Sequence, residues 1–134
     1  MIAFPNCKIN LGLNIIRKRK DGFHDLETVF FPIPLTDVIE ILPSDSFEFT
    51  VTGLPINTDD NLCIKAYNLL KKDFPNLTPV KTHLHKAIPL GAGLGGGSSD
   101  AASTLGLLNE KFNLNLETEQ LIDYGLQLGS DCPF

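Results

Sequence analysis

The sequence predicts an α+β domain in which most strands precede the helices. Alternating apolar and polar residues predict strands over 9–17, 26–35, 38–42, 47–51 and 80–87. Apolar residues at helical spacing predict helices over 61–74, 98–112 and 117–128. Strands followed by helices indicate a mixed, mostly antiparallel sheet with the helices on one face.

The first two strands read as a hairpin. Ile9, Leu11, Leu13 and Ile15 alternate with polar residues or glycine, which predicts a half-buried strand. The tripeptide 20–22, Lys-Asp-Gly, is a turn signal leading into the second strand. The basic run over 17–20 is then a solvated hairpin end.

The helices have recognisable ends. Pro75 closes the first helix and Gly129 ends the third. The second helix rises directly out of a glycine-rich stretch, with Ser98 or Ser99 as a suitable N-cap. Asp100 suits the first turn as a complement to the helix dipole rather than as a metal ligand, because a carboxylate in that loop would repel phosphate.

That glycine-rich stretch carries the strongest functional signal. Five glycines lie within positions 91–97, immediately before the two serines. Glycines allow positive φ and a close approach of the main chain, so consecutive N–H groups can converge on phosphate oxygens at a helix N-terminus. The pattern predicts a cradle for a nucleoside triphosphate, although a loop that only caps the helix is the plain alternative.

Two better-known phosphate loops fit less well. Gly91, Gly93 and Gly96 satisfy the dinucleotide pattern G-x-G-x-x-G, but the preceding strand is polar and alternating, and further helix follows where a second strand is needed. A Walker A loop requires Lys-Ser or Lys-Thr after its last glycine, and Ser98-Ser99 lacks that lysine. A dinucleotide-binding redox domain remains the alternative from another class of protein.

Composition limits the partners. The chain has 134 residues and a net charge of −5, which indicates one domain and argues against nucleic acid as a main partner. No apolar run reaches the length that a membrane span needs, and no secretory signal opens the chain, so we expect a cytoplasmic protein. Cys7, Cys63 and Cys132 form no metal-binding spacing and indicate reduced thiols.

Five motifs in order make the chain similar to the GHMP kinase superfamily, the small-molecule kinases named for galactose, homoserine, mevalonate and phosphomevalonate. The motifs are Cys-Lys-Ile-Asn-Leu at 7–11, Asp-Gly-Phe-His at 21–24, Asp-Asn-Leu at 60–62, the loop from Pro89 to Ser99, and Gly-Ser-Asp-Cys-Pro at 129–133. Phenylalanine at position 23 replaces the usual tyrosine. The match is best to the branch acting on a cytidine diphosphate methylerythritol.

The resemblance implies a ribosomal protein S5 domain 2-like fold, with residues 1–134 forming the N-terminal ATP-binding domain. It covers about half of the family's usual length, so the C-terminal lobe, the main structural partner, is expected to be absent from this chain, and little activity is expected from the chain alone. The implied cofactors are ATP and Mg²⁺. In this resemblance Lys8 and Asp131 are the catalytic residues, Asp131 being the base that accepts the hydroxyl proton.

The resemblance also assigns binding residues. ATP would be held by Pro89, Leu90, Gly91, Ala92, Gly93, Leu94, Gly95, Gly96, Gly97, Ser98 and Ser99, with Asn61 and Lys86 on the adenosine side. The hydroxyls of Ser98 and Ser99 are the nearest possible Mg²⁺ contacts. Asn10, Phe23 and His24 would bind the cytidine diphosphate substrate, Phe23 by stacking on the base. Another GHMP substrate, such as homoserine or mevalonate, and a non-catalytic domain of the same fold stay open as alternatives.

Overall fold

Six strands and three helices make up residues 1–133, the part of the chain that the computed structural model describes. In chain order they are β1 (Ile2–Ala3), β2 (Asn6–Lys18), β3 (His24–Thr36), β4 (Val38–Pro43), β5 (Glu48–Gly53), α1 (Leu62–Asp73), β6 (Val80–Lys86), α2 (Gly96–Phe112) and α3 (Thr118–Leu128). Every helix and strand predicted from the sequence is present, with ends that differ by a few residues.

The main sheet has the strand order β1-β4-β6-β5. β4 pairs antiparallel with both β1 and β6, whereas β5 runs parallel to β6. The mixed, mostly antiparallel character is therefore confirmed. The expectation of a single sheet was wrong, because β2 and β3 pair only with each other and form a separate two-stranded sheet.

The hydrophobic core lies between the main sheet and the helices. Ile39 and Ile41 from β4 and Leu84 from β6 meet Leu70 of α1 and Leu108 of α2, and all five are fully buried. The opposite face of the sheet carries exposed polar residues on β5, so the helices cover one face only, as predicted. That packing places the end of β6 and the start of α2 side by side.

The apolar residues of the hairpin differ from the prediction. Leu11, Leu13 and Ile15 are 50%, 57% and 60% exposed rather than half-buried. The register shifts at Gly12, which has a φ of +70°, so residues on either side of this bulge no longer share a face. Strict alternation in the sequence cannot reveal such a bulge, and it cannot reveal which face another element covers.

Local chemistry explains the helix ends. The Asn61 side chain caps α1 by accepting a hydrogen bond from the Cys63 N–H at 2.8 Å. Glu117 and Gln120 form a capping box at the start of α3, which ends at Gly129 as predicted. Among residues 1–133, no helix is both long and apolar enough to cross a membrane.

The core predicts a large effect of truncating Leu70. Leu70→Ala should lower the free energy of unfolding by about 2–5 kcal/mol, because it leaves a cavity between α1 and the sheet. The matched control is Leu126→Ala on α3, where the side chain is 57% exposed and the expected change is within about 0.5 kcal/mol. Urea unfolding of both variants measures the difference, and equal losses would contradict this assignment of the core.

Candidate active site

The glycine-rich loop connects β6 to α2 and presents main-chain N–H groups at the helix N-terminus. Gly91, Gly93 and Gly95 have φ values of +70°, +73° and +69°, which only glycine adopts readily. The first hydrogen bond of the turn runs from the Ser99 N–H to the Gly95 carbonyl at 3.0 Å. The N–H groups of the preceding helical residues have no acceptor within the helix and suit an anion.

Close packing under the loop explains why two of its glycines carry no side chain. A Cβ built on Gly95 would lie 3.1 Å from Cε of Lys8. A Cβ built on Gly96 would lie 2.7 Å from Cγ2 of Ile88, closer than real Cβ atoms approach. Substitution at Gly96 must therefore move the loop or the strand end beneath it.

Lys8 joins the loop to the predicted catalytic carboxylate. Its main-chain N–H donates to the Leu94 carbonyl at 2.9 Å, which fixes β2 against the loop. Its ammonium lies 3.6 Å from Oδ2 of Asp131 and donates to Oδ1 of Asn10 at 2.8 Å. The side-chain hydrogen bond between Lys8 and Asn10 shows that the two residues share one face of β2.

A cleft of about 580 Å³ lies between β2, β3, the start of α2 and the segment after α3. Its lining brings together Lys8, Gly95, Ser99 and Asp131, which are far apart in the sequence. Asp131 is half-buried, with its side chain 42% exposed, so its carboxylate is accessible from the cleft. The arrangement can hold an anion at the helix N-terminus beside a cation and a general base.

Two residues of β3, Phe30 and Thr28, also contact Lys8 and Asn10. The sequence patterns did not predict either residue as part of the site. The Phe30 ring lies under the Lys8 ammonium, 4.8 Å from Nζ to the ring centre. The Thr28 hydroxyl accepts a hydrogen bond from Nδ2 of Asn10 at 3.0 Å. Their spacing of two residues places them on one strand face, but only the pairing register of the hairpin shows which face meets Lys8.

The Lys86 side chain does not lie on the adenosine side of the loop, where the resemblance implied it. It is 1% exposed, and its ammonium donates to Oδ2 of Asp37 at 2.5 Å and to Oδ2 of Asp100 at 2.7 Å. The prediction that this side chain lines the adenosine is corrected, because an ammonium enclosed between two buried carboxylates is not accessible to a ligand. Burial alone would lower the pKa of Lys86, but the two carboxylates outweigh it and raise that pKa.

Asp100 belongs to the same cluster and is buried. Burial raises the pKa of its carboxyl to about 7, against the lowering effect of the Lys86 ammonium. Its Oδ1 atom is buried and has no hydrogen-bond partner within residues 1–133. The expectation that Asp100 only complements the helix dipole is therefore replaced by a role in a buried ion cluster.

Two of the three residues predicted to bind the second substrate, Phe23 and His24, lie away from the cleft, whereas Asn10 contacts Lys8 beside it. Phe23 and His24 are exposed at the turn between β2 and β3, and Phe23 is 57% exposed. The Phe23 N–H donates to Oδ1 of Asp21 at 3.1 Å, which shapes the turn. Asn61 uses its carbonyl oxygen to cap α1, so a contact with the nucleotide stays a prediction.

Cys132 follows the catalytic candidate directly and behaves as a packed thiol. It is buried, and burial raises its pKa, partly offset by a hydrogen bond with Ser98. A high thiol pKa disfavours the thiolate that a nucleophile needs. The Cys132 N–H donates to the Gly129 carbonyl at 3.2 Å, and a Cβ built on Gly125 would lie 3.4 Å from Cβ of Cys132, so the segment carrying Asp131 packs against the end of α3.

The fold and site define an α+β domain in which a glycine-rich loop opens a helix beside a lysine and a carboxylate. The chain belongs to the GHMP kinases, since residues 61–134 match the family model described as the GHMP kinases N terminal domain.

Similar proteins agree with this family. The chain is 57% identical over 140 residues to the 4-diphosphocytidyl-2-C-methyl-D-erythritol kinase of Bacteroides fragilis, covering all of this chain and 51% of that protein. It is 54% identical over 136 residues to the kinase of the same name from Cytophaga hutchinsonii, covering 100% of this chain and 50% of that protein.

A solved structure agrees as well. The crystal structure of a 4-(cytidine 5'-diphospho)-2C-methyl-D-erythritol kinase superposes with a TM-score of 0.82 at 36% identity, covering all of this chain and 48% of that one. The chain thus spans about half the length of the relatives it matches.

We expect alanine at two glycines of α2, Gly96 and Gly106, to have opposite effects on the free energy of unfolding. Gly96→Ala should lower the free energy of unfolding by about 1–3 kcal/mol, because the new methyl group collides with Ile88. Gly106→Ala should raise it by about 0.5–1 kcal/mol, because nothing lies within 4 Å of a Cβ there and alanine favours helix. Chemical denaturation of both variants tests this, and a stabilising Gly96→Ala would contradict the close packing.

The raised pKa of Asp100 predicts a pH-dependent contribution to stability. Between pH 4 and 7 the unfolded chain ionises this carboxyl while the folded chain keeps it protonated, so stability falls as the pH rises and levels off above about 7. Relative to Asp100→Asn, which cannot titrate, the native chain should lose stability across this window. The difference between about 7 and the ordinary value of 3.8 sets an upper limit of about 4 kcal/mol.

Unfolding free energies at pH 5 and pH 8 measure this difference. Asp45→Asn, at an exposed position, is the control and should leave the pH dependence nearly unchanged. A gap between the native chain and Asp100→Asn that stays constant with pH would show that Asp100 is already ionised in the folded chain at pH 5.

Proposed function

We propose that this chain is the nucleotide-binding part of an ATP-dependent kinase that phosphorylates the 2-hydroxyl of 4-diphosphocytidyl-2-C-methyl-D-erythritol, in the non-mevalonate route to isoprenoid precursors. The observation that carries the proposal is the approach of Lys8 and Asp131 to the first turn of α2. Phosphoryl transfer needs little more than positioning, charge neutralisation and a proton acceptor, and each has a candidate in this cleft.

The loop and the start of α2 bind the β- and γ-phosphates of ATP in this proposal. Main-chain N–H groups and the positive end of the helix dipole face the phosphates, so the glycines contribute by allowing close approach. The hydroxyls of Ser98 and Ser99 lie in the first turn and are suited to contact a phosphate or its metal ion.

Mg²⁺ would reach the site with ATP rather than through a protein cage. Within residues 1–133, no group of three or more histidine, cysteine or acidic side chains is placed to hold a metal ion. The oxygen donors that fit are the hydroxyls of Ser98 and Ser99, and Mg²⁺ commonly takes few protein ligands when it bridges phosphates. When bound, the ion neutralises charge that develops on the transferring phosphoryl group.

Lys8 and Asp131 act on the reacting hydroxyl. The hydroxyl oxygen forms a bond to the γ-phosphorus, the bond from that phosphorus to the β–γ bridging oxygen breaks, and the hydroxyl proton passes to Asp131. The Lys8 ammonium lies 3.6 Å from that carboxylate, where its charge is placed to stabilise the transferring oxygens. Asn10 and Phe30 hold the ammonium in place.

The identity of the alcohol rests on similarity and on the hairpin turn. Relatives at 54% and 57% identity carry the name of the kinase for this cytidine diphosphate compound. Phe23 offers an aromatic face to a base, and His24 can hydrogen-bond to its edge. The missing tyrosine hydroxyl at position 23 leaves stacking possible.

We expect replacement of the proposed base, Asp131, to reduce turnover with little loss of nucleotide binding. We expect Asp131→Asn to lower kcat by about 10²–10⁴-fold, because the amide cannot accept the proton. The assay uses this chain grafted in place of the matching half of the Bacteroides fragilis relative, with ATP, Mg²⁺ and the cytidine diphosphate substrate.

The controls separate the base from its surroundings. Asp123→Asn, an exposed carboxylate on α3, should leave turnover unchanged. The ungrafted chain should turn over very slowly, because its cleft stays open to water. Full activity of the grafted Asp131→Asn protein would refute the assignment of the base, and phosphorylation of mevalonate or homoserine instead would refute the substrate.

A further inference from the structure

The buried cluster of Asp37, Lys86 and Asp100 lies beneath the glycine-rich loop and touches both of its ends. Lys86 is the last residue of β6, and the loop begins three residues later, at Pro89. Asp100 lies in the second turn of α2, the helix that follows the loop. One ammonium therefore connects the strand that enters the loop with the helix that leaves it.

Asp37 fixes the start of the loop through the main chain as well. Its Oδ1 atom accepts hydrogen bonds from the N–H groups of Ala87 at 2.6 Å and Ile88 at 2.9 Å. The N–H of Asp37 donates to the Pro5 carbonyl at 2.9 Å, just before the strand that carries Lys8. The carboxylate thus holds the last residues before the loop while Lys86 occupies its second oxygen.

The composition of the cluster argues for a role beyond stability. Replacing a buried ion cluster by apolar groups is often neutral or stabilising, because removing charges from water is costly. What such a cluster does supply is direction, since each hydrogen bond fixes an angle as well as a distance. A built Cβ on Gly96 would lie 3.3 Å from Nζ of Lys86, so the ammonium also sits directly against the first residue of α2.

We propose that Lys86 is a positioning residue for phosphate binding, whose ammonium, held between Asp37 and Asp100, fixes the two ends of the glycine-rich loop at the spacing that the phosphates require. This inference rests on the proposed function. A loop rich in glycine loses much conformational freedom on binding, so fixing its ends in advance lowers the entropic cost of binding ATP. Lys86 does this without contacting the nucleotide.

The test compares loop mobility with ATP affinity. Lys86→Met should speed amide hydrogen exchange across residues 88–99 by at least about tenfold, without nucleotide, while exchange in α1 stays at the native rate. Affinity for a fluorescent ATP analogue should fall by at least about tenfold. Lys81→Met is the matched control, because Lys81 lies on the same strand and pairs with Glu48 at the surface.

A second variant decides the matter if Lys86→Met does not fold. Asp100→Ala removes one arm of the cluster and leaves Lys86 paired with Asp37, so no buried charge is left alone. It should loosen the same residues and weaken ATP binding in the same direction. In the grafted protein, the KM for ATP should rise about tenfold, with the KM for the alcohol and kcat at saturating ATP within about twofold of native.

The two hypotheses fail in different ways. Native exchange rates in the loop of a folded Lys86→Met or Asp100→Ala protein would overturn the positioning role. A loosened loop that still binds ATP with native affinity would overturn it as well, because the loop ends would not matter for phosphate. If the native chain binds no ATP analogue, the proposed function fails, while the exchange data still decide whether the cluster anchors the loop.

Discussion

The ionic contact between Lys86 and two buried carboxylates is the constraint on which the arrangement of the site depends. Burying any one of these three side chains alone would cost free energy, because a charged group would lose its hydration without gaining a partner. Their pairing with one another offsets that cost. Together with the Asp37 N–H bond to Pro5, the set brings the start of β2, the end of β6 and the start of α2 to one point. Two of these segments, β2 and the start of α2, also line the cleft, together with β3 and the segment after α3.

In the proposed function, main-chain N–H groups bind the phosphates, so their placement depends on the packing of the fold. N–H groups at a helix N-terminus cannot be aimed by choosing a rotamer, so their direction depends on how α2 is packed. Leu105 and Leu108 anchor the helix in the core, and Gly96 lets its first residue pack tightly against Ile88. The side chains with proposed chemical roles, Lys8 and Asp131, then need only approach this fixed edge.

The sequence predicts most of the helices and strands. It does not predict the contacts that depend on how these elements pack against one another. Period-two and period-3.6 patterns predicted every element except the two-residue strand β1, because such patterns report local geometry and two residues are too few to show one. The pairing of Lys8 with Asp131 was predicted through family resemblance, since the two lie far apart along the chain. The partnership of Lys86 with Asp37 and Asp100 was not predicted, because a lone aspartate between two strands has no pattern that reveals its burial. Likewise, the bulge at Gly12 depends on pairing between strands, which a single strand's sequence does not encode.

The isolated hairpin of β2 and β3 has a consequence for how the two substrates are held. Two strands without a third are marginally stable in water, and this pair exposes apolar residues such as Leu13 and Ile15 toward its tip. Local opening at the tip therefore requires less free energy than opening of the sheet and helices behind the loop. If Phe23 and His24 at that tip bind the alcohol substrate as proposed, its recognition would include ordering of the hairpin. The chain would then hold ATP on its packed sheet and helices, and part of the alcohol substrate on a hairpin tip that opens more readily.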